Sequence, residues 1–155
     1  MSKVVCPGSF DPITFGHLDI IERASKLFDE VVIAVLVNKT KTTLFSVDER
    51  IEMIKEVTKK FKNVSVDSWS GLLVEYCANN NISMIVKGLR AVSDFDYELQ
   101  MSQINLQLKG IETIFMSTSP VHSFLSSSLV KEIANYGGDV SNYVPAEILS
   151  RLKTR

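Results

Sequence analysis

The stretch Pro7-Gly8-Ser9-Phe10-Asp11-Pro12-Ile13-Thr14-Phe15-Gly16-His17 gathers glycines, hydroxyls and a histidine in one short segment. Glycine lacks a Cβ, so Gly8 and Gly16 let a bulky ligand approach the backbone. Gly16 and His17 would open a helix, whose free N–H groups and dipole favour phosphate. His17 either meets charge developing on a phosphate, or caps that helix, or is satisfied in the core. Ser9 either donates to a phosphate or stabilises a turn. Lys39 and Lys41 either neutralise a phosphate or are solvated loop cations. Lys87 and Arg90 flank Gly88, and two cations there are costly unless an anion or a carboxylate joins them. Glu98 either contacts a sugar or faces solvent. Ser126-Ser127-Ser128 offers hydroxyls and backbone N–H groups to phosphates, or supplies only a helix cap. Trp69, Phe10 and Phe124 read as packing residues, with Phe10 a partial exception because it sits inside the glycine loop. The shared chemistry is anion binding.

These residues must be positioned by something. Apolar, β-branched runs occur at Val4–Cys6, Val31–Val37, Val64–Val66, Met84–Val86 and Thr113–Met116. The continuous run at Val31–Val37 predicts a strand buried on both faces, as in a parallel sheet. Between the runs lie helical patterns. Leu18, Ile21, Ala24 and Phe28 share one face. Ser46-Val47-Asp48-Glu49 reads as a capping box opening a helix with Ile51, Ile54 and Val57. Leu72, Leu73, Tyr76 and Cys77 make a third face. A fourth helix is expected from Asp94 to Leu108. A fifth is expected from Ser127 to Tyr136, ended by Gly137-Gly138. Pro145 opens a last short helix, whose Arg151, Lys153 and Arg155 read as a solvated end. The order βαβαβαβαβα predicts a five-stranded parallel sheet with helices on both faces, an α/β fold. Ligands of such sheets bind beyond the carboxyl ends of the strands. The glycine-rich, cationic and hydroxyl-rich segments above all follow predicted strands, so they collect on that edge.

Composition narrows the function classes. The chain has 155 residues, which fits a single domain over 1–155. It carries 17 Lys and Arg against 18 Asp and Glu, a formal net charge of −1. Duplex DNA and anionic membranes favour a basic surplus, so no nucleic acid and no membrane is expected as the main partner. Cys6 and Cys77 are far apart with no metal-ligand spacing, which predicts free thiols in a reducing cytoplasm. Two histidines, His17 and His122, do not support a histidine-rich metal site. No apolar run is long enough for a bilayer span, and the N-terminus does not read as a signal peptide. GxxxxGK[ST], GxGxxG and GxSxG are absent, against Walker-type, dinucleotide-binding and nucleophile-elbow chemistry.

The segment from Pro7 to His17 resembles the first motif of the nucleotidylyltransferase superfamily, whose T/HxGH core is supplied by Thr14-Phe15-Gly16-His17. Lys87-Gly88-Leu89-Arg90-Ala91-Val92-Ser93-Asp94-Phe95-Asp96-Tyr97-Glu98 is similar to the RGLR–DFxYE segment of the bacterial phosphopantetheine adenylyltransferases. Phe124-Leu125-Ser126-Ser127-Ser128-Leu129-Val130-Lys131-Glu132 is similar to their FISSSLVKE segment. T/HxGH alone is a superfamily feature; the three segments together, in order over nearly the whole chain, are specific to this family.

The resemblance implies a Rossmann-like α/β domain, usually assembled as a homohexamer, a dimer of trimers. It implies transfer of the adenylyl group of ATP to 4′-phosphopantetheine with Mg²⁺. The products would be dephospho-coenzyme A and pyrophosphate, with coenzyme A as a feedback ligand. By position, Ser9, Phe10, His17, Gly88, Leu89, Arg90 and Glu98 would contact ATP, with His122, Ser123, Phe124, Leu125, Ser126, Ser127 and Ser128. Ser9, Lys41, Leu73 and Lys87 would bind the phosphopantetheine. His17 and Lys41 would be catalytic, holding oxygens of the transition state. Two positions depart from the family. Lys87 stands where arginine is common, which keeps the charge but loses the bidentate fork. His122 stands where some members carry an aromatic residue beside the adenine.

An acceptor that is itself an anionic phosphate needs no general base, so positioning and charge stabilisation would carry the reaction without a covalent intermediate. Two rival readings stand beside this one. One is another nucleotidylyltransferase, such as a cytidylyltransferase; the Lys87–Glu98 segment argues against it. The other is a non-catalytic nucleotide sensor, against which the intact His17 argues.

Overall fold

Strand β1 (Lys3–Gly8) runs down the middle of one parallel sheet, paired with β2 (Glu30–Leu36) on one side and β4 (Met84–Leu89) on the other. Strand β3 (Val64–Trp69) closes the β2 edge and β5 (Glu112–Ser117) the β4 edge, giving the order β3-β2-β1-β4-β5. The protein is seen as a computed structural model that describes residues 1–155, with the side chains of Val92 and Ser93, in the Lys87–Glu98 segment, outside the described set. Helices α1 (Phe15–Leu27), α2 (Val47–Thr58), α3 (Leu73–Asn79) and α4 (Val92–Lys109) connect successive strands. After β5 come a 3₁₀ turn, Pro120–His122, then α5 (Ser127–Asn135) and α6 (Ala146–Lys153). Among the described residues no helix is long and apolar enough to cross a membrane.

The expected strand–helix alternation is present, and its local signals work as predicted. Val31 to Val35 are all buried. Alternation then sends Ile33 and Val35 to a core with Met53, Ile54, Val130 and Ile148, while Val32 and Ala34 meet Val74, Tyr76 and Cys77 on the other face. Helices thus cover both faces, and each fully buried aliphatic side chain contributes about 1.5–3 kcal/mol. Ser46 caps α2, and the Glu49 side chain returns the bond to the Ser46 N–H, a complete capping box. Gly110, at φ 68°, terminates α4 in the left-handed conformation that glycine tolerates.

Two local readings are corrected. Leu72 is not on the buried face of α3; it is the N-cap and is exposed, and its carbonyl accepts from the Trp69 indole at 2.8 Å. The C-terminal cations are not merely solvated. Arg151 pairs with Glu52 at 2.7 Å, and Arg155 pairs with Glu49 and lies over the Phe45 ring, so they tie α6 to α2.

The direction of winding reverses between the parallel neighbours β1 and β4: the connections from β1 run outward through β2 to β3, and the connection from β4 runs the other way to β5. In an open α/β sheet this switch point leaves a crevice at the carboxyl ends of the two central strands.

Candidate active site

The crevice is a cavity of about 590 Å³. Gly8 from the end of β1, Lys87 and Gly88 from β4, Gly16 and His17 from α1, and Ser126 and Ser127 from α5 all line it. Two helix N-termini therefore open onto one space, which suits an anionic ligand.

Thr14 is the N-cap of α1. Its backbone N–H donates to His17 Nδ1 at 3.0 Å, and its hydroxyl accepts from the His17 N–H at 3.3 Å. The capping role and the functional role are compatible. With Nδ1 accepting, a neutral ring carries its proton on Nε2. Burial first, and the charge of Arg90 second, push the His17 pKa down to about 4. His17 is thus a neutral donor near pH 7. Phe10 holds the ring edge-on at 4.9 Å between centroids. Phe10 has φ 50°, a conformation costing roughly 1–2 kcal/mol for a residue with a side chain. Phe10 is only 5% exposed, and that burial offsets the strain. A Cβ on Gly8 would sit 3.0 Å from the Phe10 ring, so this approach needs glycine.

The two cations flanking Gly88 do find carboxylates. Lys87 Nζ pairs with Glu98 at 2.6 Å, and Arg90 Nε with Asp94 at 3.4 Å. Arg90 also donates to the Leu125 carbonyl at 2.8 Å, joining the β4 loop to the start of α5. Both cations still line the cavity, as do Leu73, His122 and Leu125. The His122 ring stacks on Phe15 at 6.4 Å. Ser126 caps α5 by accepting from the Leu129 N–H, and the Ser127 hydroxyl donates to the Pro12 carbonyl at 2.7 Å. The Ser127 proton is therefore committed to the protein, and its backbone N–H is the group left to face an anion. Cys6 lines the cavity too, but burial pushes its thiol pKa up to about 12, which leaves it inert as a nucleophile.

Other expected positions stand outside the lining. Lys41 is exposed on the segment between β2 and α2. Ser9 presents its carbonyl to Arg50, Leu89 its carbonyl to the Thr118 N–H, and Ser123 its hydroxyl to the Pro120 carbonyl. Phe124 is 55% exposed and packs edge-on against Tyr143; Ser128 is exposed. Sequence reasoning overlooked three lining residues on α4: Tyr97, Met101 and Asn105. With Glu98 they fall at the spacing of one helix face, and that spacing is the signal that could have found them. Among the described residues no group of three His, Cys, Asp or Glu is placed to hold a metal ion. Glu98 lines the cavity as a hard oxygen donor of the kind a divalent cation takes, and it is held by Lys87.

Comparison with known proteins finds relatives over the full length of this chain. Residues 5–133 match the family model described as Cytidylyltransferase-like. A "Phosphopantetheine adenylyltransferase" of Frankia alni is 62% identical, over 100% of this chain and 98% of the relative. Proteins of that name from Streptomyces coelicolor and Thermobifida fusca are 59% and 57% identical, over 100% of this chain and 98% and 94% of their own. Among solved structures, a lipopolysaccharide core biosynthesis protein from Thermoplasma volcanium GSS1 superposes with a TM-score of 0.58 at 23% identity, covering 77% of this chain and 97% of that one. That likeness speaks for the fold alone. By the match over its full length, this chain belongs to the phosphopantetheine adenylyltransferases, within the Cytidylyltransferase-like family.

Proposed function

We propose that the cavity brings ATP and 4′-phosphopantetheine face to face and transfers the adenylyl group by direct in-line attack, giving dephospho-coenzyme A and pyrophosphate. The observation that carries this reading is the convergence of His17, Lys87, Arg90 and two helix N-termini on one crevice. The acceptor phosphate is already anionic, so no general base is required, and the neutral His17 uses Nδ1 for its own helix cap. The work is positioning and charge stabilisation. The Nε2–H of His17 faces the transferring phosphorus, joined by Lys41 when its segment lies against the cavity. Arg90 and the backbone N–H groups at the start of α5 take the β- and γ-phosphates.

Phe10, Gly88, Leu89 and the stretch from His122 to Ser128 frame the nucleotide, with Glu98 toward its ribose. Lys87 takes the acceptor phosphate by exchanging Glu98 for it, with Ser9 beside it. Leu73 and Met101 supply an apolar wall for the pantetheine arm, and the buried Asn105 an amide partner for it. Mg²⁺ bound to the triphosphate would neutralise part of its charge. Dephospho-coenzyme A and coenzyme A compete for the same cavity as product and feedback ligand. Leu99, Ile104, Leu106 and Leu108 leave α4 with exposed apolar side chains, which supports self-association, here read as a homohexamer, a dimer of trimers. The reading places the chain in the cytoplasm, where the free thiols of Cys6 and Cys77 stay reduced.

The test is pyrophosphate release from ATP with 4′-phosphopantetheine, against controls without acceptor, with CTP, and with other phosphorylated acceptors. Release that needs both named substrates supports the reading. Release with CTP at equal rate, or none with 4′-phosphopantetheine, overturns it.

A further inference from the structure

Asp11 follows Phe10 in the glycine loop, yet it does not line the cavity and is 2% exposed. Its carboxylate accepts three hydrogen bonds. The Leu44 N–H donates to Oδ2 at 2.8 Å, the Phe45 N–H to Oδ1 at 2.9 Å, and Lys131 Nζ to Oδ2 at 2.9 Å. Two of these donors stand at the α2 end of the segment that carries Lys41. The third is on α5, whose N-terminus is formed by the cap Ser126 and by Ser127. Arg50, 3% exposed, closes the same joint from α2, donating to the Ser9 carbonyl at 2.8 Å and the Phe45 carbonyl at 3.2 Å. The Ser127 hydroxyl fastens α5 to Pro12 in the same loop.

We propose that Asp11 is a positioning residue for the transfer: one buried carboxylate locks the α2 end of the Lys41 segment and helix α5 to the loop that leads into α1 and His17. The inference rests on the reaction proposed above. Burying a carboxylate is costly, and burial alone would raise its pKa. The Lys131 ammonium and the two backbone N–H groups outweigh that and hold the Asp11 carboxyl below the usual carboxylate range. Both oxygens are used, so an amide of the same shape cannot replace it: an asparagine NH₂ would face either an N–H or the ammonium. A misplacement of about 1 Å between reacting groups can cost roughly 10²-fold in rate. Asp11 touches neither substrate in this arrangement, and its influence runs entirely through the segments it joins.

The experiment compares steady-state kinetics of the wild type, Asp11→Asn and Lys131→Met, with amide hydrogen exchange. For Asp11→Asn the expected result is a kcat lower by at least about tenfold, KM for both substrates within about threefold, and faster exchange at Leu44 and Phe45 than at the β2 amides. Lys131→Met should lower kcat by a smaller factor while Leu44 and Phe45 stay protected. A folded Asp11→Asn protein with kcat within about twofold of wild type overturns the inference, as does a rise in both KM values at unchanged kcat. If Asp11→Asn does not fold, Lys131→Met decides, and an unchanged kcat there overturns it. A wild type without turnover defeats the proposed reaction itself and this inference with it; an active wild type with unaffected variants defeats this inference alone.

Discussion

Replacing His17 by alanine separates two jobs that one ring performs. The ring nitrogen Nδ1 accepts from the Thr14 N–H at 3.0 Å, and the ring packs edge-on against Phe10. Losing one net hydrogen bond costs about 0.5–1.5 kcal/mol, and an aromatic edge contact is worth about 0.5–1.5 kcal/mol. The folded state should therefore lose about 1–3 kcal/mol, which for a chain of this length is roughly 2–12 °C in Tm. The other job is the Nε2–H donor into the cavity. Removing one such donor costs about 2.7–4 kcal/mol of barrier, roughly 10²–10³ in kcat. The stability loss leaves most molecules folded at 25 °C, so it cannot account for a rate loss of that size. The assay is pyrophosphate release under saturating substrates, with ATP binding by calorimetry and urea melts on the same samples. ATP binding should change little, because the donor acts on charge that develops during transfer. His17→Asn offers a second check: its amide oxygen can still accept from Thr14, so it should recover part of the Tm without recovering kcat. A kcat loss below about tenfold, or a loss matched by equally weakened ATP binding, would refute the reasoning.

Two further outcomes follow from the same geometry. His17 ordinarily titrates at 6.5 and is pushed to about 4 by burial and then by Arg90. The unfolded chain therefore takes up a proton that the folded chain refuses, so stability is full above pH 6.5 and falls as pH drops toward 4. Urea melts at several pH values check this, and a kcat profile with an inflection near 6.5 assignable to His17 would contradict it. Gly8→Ala places a Cβ 3.0 Å from the Phe10 ring and should displace that ring from His17. The expected cost is about 1–3 kcal/mol of stability and about tenfold in kcat; unimpaired turnover, measured by pyrophosphate release beside a thermal melt, would show that Phe10 does not hold His17 in place.

The sequence carried its local physics legibly. The uninterrupted apolar run at Val31–Val37 announces a central strand, since only a strand covered on both faces can bury every side chain; Val31 to Val35 are buried accordingly. Ser46 and Glu49 announce the start of α2 because a capping box is a contact between residues three apart. The same local logic located Gly8, His17, Lys87, Arg90 and Ser126 at one sheet edge. It misread Leu72 as core, because one helical turn at a helix start does not reveal which residue is the cap. It passed over Asn105 and Met101, whose spacing from Glu98 matters only once α4 is known to border the cavity.

By itself, then, the chain declared its elements, their order and the chemical character of its loops, all of which depend on neighbours within a few residues. The strand order β3-β2-β1-β4-β5 is different in kind, because it depends on which face each crossover helix covers. Only that arrangement opened the crevice between β1 and β4 and turned Lys87 toward Glu98. It also brought Leu44, Phe45 and Lys131, distant along the chain, onto the single carboxylate of Asp11. Such contacts are settled by how whole layers pack to bury their apolar faces, and no periodicity along the chain encodes them.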